Sequence, residues 1–174
     1  TGALVVRSRE ALKRAHDVGA DYLPDMGGSP IRIDFSSHGP ELSRSFRGLR
    51  VWLPLQLHGV DAFRVALNDK LRLAQRAALR IATWGDVCQV PGSKLSVLAF
   101  RFVRVGLDDT TLDDINRRWI DEVNARQRTH LSGTRIDGAY TLRMAILSFR
   151  TTAAHVDAAL DDLEEVLCAL RSTL

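Results

Sequence analysis

Asp137-Gly138 sits between two runs that read as strands, Thr129 to Ile136 and Ala139 to Leu147. An Asp-Gly pair supplies the two left-handed residues of a tight hairpin turn, so these runs are expected to pair antiparallel. The rest of this half of the chain follows from that constraint. Val87 to Val90 reads as a short strand, Pro91-Gly92-Ser93 as a turn and Leu95 to Val103 as a second strand. A helical pattern follows each strand pair. Thr111-Leu-Asp-Asp114 resembles a capping box with Asp in place of Glu, and predicts a helix to about Arg126. Thr151 or Thr152 caps a last helix, with Val156, Leu160, Leu163, Val166, Leu167 and Leu170 facing inward. The order β-β-α-β-β-α predicts an α+β fold, in which a three- or four-stranded antiparallel sheet packs on helices.

A helical arm precedes this domain. Gly2 to Val6 is a short apolar run that reads as a buried strand, and Ser8 caps a helix with Ala11, Leu12, Ala15 and Val18 at helical spacing. Tyr22 to Pro40 is rich in glycine and proline and reads as loop. Phe46, Leu49, Trp52, Leu53 and Leu57 fit a helix over Leu42 to Leu57, which Pro54 should kink or end, with Gly59 at its C-terminal cap. A second helix is expected from Asp61 to about Ala82. Its apolar stripe would be Phe63, Ala66, Leu67, Leu71, Ala74 and Ala78, opposite Arg64, Arg72, Arg76 and Arg80.

Composition narrows the function classes. With 174 residues, 45% of them hydrophobic, the chain can bury one core. Apolar runs such as Val51 to Leu57 are too short to span a bilayer, and no secretory signal opens the chain, so neither a membrane partner nor export is expected. Cys88 and Cys168 are far apart and lack CxxC spacing, which favours two reduced, buried thiols in a cytoplasmic protein. The net charge of +3 comes almost wholly from scattered arginine, with no basic face interleaved with aromatics, so nucleic acid is not expected as a partner. His16, His38, His58, His130 and His155 are widely spaced and do not suggest a metal site. G-x-G-x-x-G, Walker A and G-x-S-x-G motifs are missing. Lys13, Lys70 and Lys94 read as solvated charges, so the chain by itself should hold no carbonyl cofactor covalently.

Five blocks in order carry a resemblance to a known family. They are TGALVVRSREALKRAH, DYLPD, the Asp34 to Gly59 segment containing GPELSRSFRGLRVW, LSVLAFRF, and Tyr140-Thr-Leu-Arg-Met-Ala-Ile followed by Phe149-Arg-Thr-Thr. Together they resemble the C-terminal region of group II pyridoxal-phosphate-dependent amino-acid decarboxylases, the relatives of aromatic-amino-acid, histidine and glutamate decarboxylase. The resemblance implies a fold-type I enzyme. Residues 1-40 would end the cofactor-binding large domain and carry a mobile catalytic loop, 41-82 would be connecting helices, and 83-174 would be the C-terminal small domain. It also implies pyridoxal 5'-phosphate as cofactor, held mainly by an N-terminal part whose lysine lies before Thr1. The expected partners are an L-amino-acid substrate, the N-terminal remainder of the enzyme and a second copy in a homodimer.

By the same resemblance, Tyr22 matches the loop tyrosine that returns a proton after carbon dioxide leaves, a task suited to a phenol on a closing loop. Arg143 matches the arginine that pairs with a substrate carboxylate, which its planar fork meets with two bonds. Ser43 matches a small residue near the substrate side chain, although it also reads as a helix cap before Phe46. The whole segment looks closest to the aromatic branch, and acidic or diamino substrates stay open. A non-catalytic interaction or regulatory domain of the same fold is the alternative, but Gly2 to Val6 would need neighbouring parallel strands that the chain does not supply. An RNA-binding α+β module is poorly matched, because Phe100 and Phe102 lack a glycine-rich partner strand.

Overall fold

The computed structural model describes residues 3–16, 35–41, 43, 45–92 and 95–174. They divide into two compact units, Thr1–Val60 and Asp61–Leu174.

In the first unit, helix α1 spans Arg9–His16. Ser8 starts it as expected, its Oγ accepting the Ala11 N–H at 3.1 Å. Glu10 in the first turn and Lys13, Arg14 and His16 in the last complement the helix dipole. The expected strand does not form. Ala3 to Val6 has no strand partner, and Leu4 and Val5 are 77% and 93% exposed. An apolar run has no ladder to join without adjacent strands, so its sequence pattern alone cannot make it one. Within the expected loop, Phe35–His38 forms a 3₁₀ turn.

Helix α2, Leu49–Ile81, is two helical stretches joined across a break at Gly59, the residue expected to end the first, and it differs from expectation at its start and at Pro54. It begins seven residues later than Leu42, so Ser43 is not its cap. Pro54 lies inside it without ending it, and the break falls at Gly59, with φ 76° and ψ 159°. A residue without Cβ tolerates that left-handed φ, whereas proline removes only one backbone donor.

The second unit holds a four-stranded sheet of β1 (Val87–Gln89), β2 (Val97–Phe102), β3 (Ser132–Ile136) and β4 (Ala139–Ala145), in the order β1-β2-β4-β3. Every pairing is antiparallel. Asp137 and Gly138 turn the β3–β4 hairpin with φ 50° and 82°. Helix α3 (Asp109–Ala125) and helix α4 (Ala153–Arg171) complete the unit. The cap of α3 is Asp108 rather than Thr111. The Asp108 carboxylate accepts the Thr111 N–H at 3.0 Å and its hydroxyl at 2.8 Å, so the threonine is a partner of the cap. At the start of α4, Thr152 donates its N–H to His155 Nδ1 at 3.1 Å.

Phe100, Phe102, Leu142 and Met144 form the inner face of the sheet. They pack with Trp119 of α3, Leu160, Leu163 and Leu167 of α4, and Leu73, Ala77 and Ile81 of α2. All six expected inward residues of α4 are buried. Of the expected stripe of α2, Ala74 is buried and Ala78 packs against the core, while Phe63, Leu67 and Leu71 are exposed and Leu73, Ala77 and Ile81 are buried instead. Of the four arginines expected to face solvent, Arg64 and Arg72 pair with Asp61 and Asp69 of α2, and Arg76 and Arg80 tie α2 to α4. Arg76 grips Asp157 with two bonds of 2.9 Å, and Arg80 bridges Asp161 at 2.6 Å and Glu164 at 2.7 Å.

Strands β2 and β4 pair only as far as Phe100 with Leu142. Beyond that point α3 supplies the missing partners. Buried Asn116 accepts the Phe102 N–H at 2.7 Å and donates to the Phe102 carbonyl at 3.0 Å, and Asp113 accepts the Tyr140 N–H at 2.8 Å. Two side chains one helical turn apart thus replace a stretch of ladder, leaving those backbone groups satisfied. Both cysteines are free and exposed, against the expectation of burial, because Cys88 points away from the core face and Cys168 lies off the buried stripe of α4. Among the described residues no helix is long and apolar enough to cross a membrane, and no group of His, Cys, Asp and Glu could hold a metal ion.

Candidate functional site

The inner face of the sheet is filled by the core, so the outer face is where a ligand could meet it. Strand alternation places Cys88 on that face, with Val97, Ala99 and Arg101 from β2, Ser132, Thr134 and Ile136 from β3, and Ala139, Thr141, Arg143 and Ala145 from β4. Its only charged strand residues are the two arginines, and both stand on the central strands β2 and β4.

Arg143 lies between buried Leu142 and Met144 and is itself exposed, so its side chain leaves on the outer face as alternation requires. Across the sheet it pairs with Ala99 on one side and Ser132 on the other. Both neighbours are short and leave the guanidinium unobstructed. It makes no hydrogen bond or ion pair with the described residues, in a domain where Arg76, Arg80, Arg126, Arg128 and Arg171 all hold carboxylates. Such an arginine can receive an anion with both prongs of its fork.

Arg101 is built differently. Its side chain is 13% exposed, and Nη2 stands 3.5 Å from Asp113 Oδ1. Its Nε and Nη2 atoms are buried without a hydrogen-bond partner. Sequence reasoning gave this residue no role, although a cation between Phe100 and Phe102 in an otherwise apolar strand was a visible signal.

Tyr22 lies outside the described residues, and so does Lys94. Ser43 is exposed in the first unit, whereas Arg143 belongs to the second. Lys70 corrects the reading of a solvated charge. It is 6% exposed, with Nζ donating to Asp69 at 3.0 Å and to the Thr151 carbonyl. Helix α2 turns it toward the loop before α4, where the carbonyl and carboxylate compensate a buried ammonium. The Thr151-Thr152 pair of the last sequence block therefore does structural work, anchoring Lys70 and opening α4.

Residues 1–103 match the family model described as the pyridoxal-dependent decarboxylase conserved domain. The chain belongs to this family. Tyr22, Ser43 and Arg101 lie within the matched residues, and Arg143 lies beyond them. Among relatives of the pyridoxal-dependent decarboxylase family, an aromatic-L-amino-acid decarboxylase of Bacillus atrophaeus is 29% identical over 153 residues, covering 87% of this chain and 32% of the relative. A tyrosine decarboxylase of Oryza sativa subsp. japonica is 30% identical over 160 residues, covering 85% of this chain and 27% of the relative. The chain thus spans about a third or less of the length of these curated relatives. The crystal structure of Catharanthus roseus tryptophan decarboxylase in complex with L-tryptophan superposes with a TM-score of 0.72 at 23% identity, over 79% of this chain and 28% of that one. That likeness shows the fold, an α+β part of a fold-type I enzyme.

Proposed function

We propose that this chain is the C-terminal part of a pyridoxal-phosphate-dependent L-amino-acid decarboxylase acting on an aromatic amino acid, and that Arg143 holds the substrate's carboxylate. The observation that carries the reading is the unpaired guanidinium of Arg143 on an open sheet face, in a chain of the decarboxylase family. The aromatic preference is supported by relatives that are aromatic-L-amino-acid and tyrosine decarboxylases. In this reading the complete enzyme is a homodimer. Tyr22 supplies the proton that replaces carbon dioxide, and Ser43 lies beside the substrate side chain.

In this reading the cofactor's covalent lysine lies outside this chain. What supports it is that Lys70, the one buried lysine among the described residues, makes structural contacts to Asp69 and the Thr151 carbonyl. The covalent lysine is assigned to the remainder of the polypeptide. What this chain supplies is recognition: a fixed fork that orients the carboxylate to be lost.

The test is made in the complete polypeptide loaded with pyridoxal phosphate. Arg143→Lys replaces a bidentate fork by a point charge. It should cost about 1.5–3 kcal/mol in kcat/KM, the range for a hydrogen bond to a charged group, with the melting temperature unchanged. Normal kinetics in that variant would remove Arg143 from the site. Tyr22→Phe should still bind the amino acid while losing or redirecting decarboxylation, and wild-type turnover would exclude Tyr22 from the chemistry.

A further inference from the structure

Arginines of this chain hold carboxylates with one particular edge of the guanidinium. Arg76 uses Nε and Nη2 on the two oxygens of Asp157, Arg128 uses the same two atoms on Asp162, and Arg171 uses them on Asp86. In Arg101 that edge is buried and empty. The nearest carboxylate oxygen, Asp113 Oδ1, is 3.5 Å from Nη2. It already accepts the Tyr140 N–H at 2.8 Å, while Oδ2 takes Arg135 at 2.8 Å. One carboxylate therefore serves two arginines, and the trio keeps a net positive charge.

A largely buried cation with two buried, unfilled donor atoms destabilises a fold. Position 101 lies next to two core phenylalanines in a central strand, where an apolar side chain would be accommodated readily. Fold stability alone gives no reason for arginine there, but location does. Ala99 pairs with Arg143, so Arg101, two residues along on the same face and just past the last β2–β4 pair, is the diagonal neighbour of Arg143. No strand residue on that face is acidic, and a charge shielded from water is felt at such range.

We propose that Arg101 is a positioning residue whose buried charge raises the affinity of the Arg143 face for a carboxylate, retained at the expense of stability. The inference rests on the reading of Arg143 as the carboxylate clamp. It is tested in the complete polypeptide with a pair of probes that differ by the carboxylate, L-tyrosine against tyramine. Arg101→Met should weaken binding of the amino acid by about three- to tenfold, leave the decarboxylated amine unaffected, and keep or raise the melting temperature. Arg101→Lys should retain most of the amino-acid affinity. Asp113→Asn removes the charge that partly neutralises Arg101 while keeping an oxygen for the Tyr140 N–H, and should tighten amino-acid binding by about threefold. Equal loss for amino acid and amine, a lowered melting temperature or failure to fold in Arg101→Met, or unchanged affinity would each overturn the proposal. Arg143→Lys is run alongside. If it too leaves the discrimination intact, the clamp reading fails. If it abolishes discrimination while Arg101→Met does not, only the role of Arg101 fails.

Discussion

Tyr140 shows how one side chain dictates its neighbour. A Cβ built on Gly133 would stand 2.0 Å from the Tyr140 hydroxyl oxygen and 2.4 Å from Cζ, because the ring lies across the glycine with Arg117 stacked 4.4 Å from its centroid. Gly133→Ala should therefore destabilise the domain by about 1–3 kcal/mol, the cost of overpacking, where an unobstructed strand site would gain from the change. The same substitution in a Tyr140→Ala background should be neutral or stabilising in urea denaturation. An equal loss in both backgrounds would show that the ring is not the cause. Little of this was legible in the sequence, because a glycine inside a strand pattern does not show which side chain crosses it. Lys70 was missed for a related reason: its helix carries several charges, and only the packing angle of α2 shows that this one turns inward.

Elements were more legible than their faces. The β3–β4 hairpin and α4 stand where turn chemistry and a continuous apolar stripe put them, since both signals are local. The start of α3 shifted from Thr111 to Asp108 because two cap-forming residues compete within four positions. The buried stripe of α2 was misassigned because α4 is acidic and draws Arg76 and Arg80 toward it. A further acidic residue of α4 binds the end of α3. Asp162 is fully buried and bonded by Arg128, which also chiefly holds its carboxyl below the usual range, and by Arg126 at 2.7 Å. The contribution of this pairing is complete above the ordinary carboxyl value of 3.8 and is lost as the pH falls through the lowered folded value. Asp162→Asn should cost about 1.5–3 kcal/mol near neutral pH, since both guanidinium groups keep access to water after losing their charged acceptor. It should also flatten the acid limb of the stability profile. An unchanged acid limb would assign the acid sensitivity to other carboxylates such as Asp86, which Arg171 holds low.

At the scale of the whole molecule, the sequence carried the α+β architecture and the family, while the site was legible only as motif matches. Arg143 stands on the face opposite Leu142 and Met144, as strand alternation, a two-residue rule, requires. Tyr22 and Ser43 were read from motif matches alone. Ala3 to Val6 carries the same lesson, since a strand signal needs neighbours to become a strand. The central claim is that this chain is the recognition-bearing C-terminal part of a pyridoxal-phosphate-dependent decarboxylase, and that the covalent lysine belongs to the rest of the polypeptide. The most direct test compares the complete polypeptide with this chain alone, each incubated with pyridoxal phosphate and an aromatic L-amino acid, with amine and carbon dioxide quantified and the protein then reduced with borohydride for mass spectrometry. The account predicts equal amounts of amine and carbon dioxide from the complete polypeptide, none from this chain, and no pyridoxyl adduct on Lys13, Lys70 or Lys94. A stoichiometric adduct on one of those lysines, or no amine from the complete polypeptide, would contradict it.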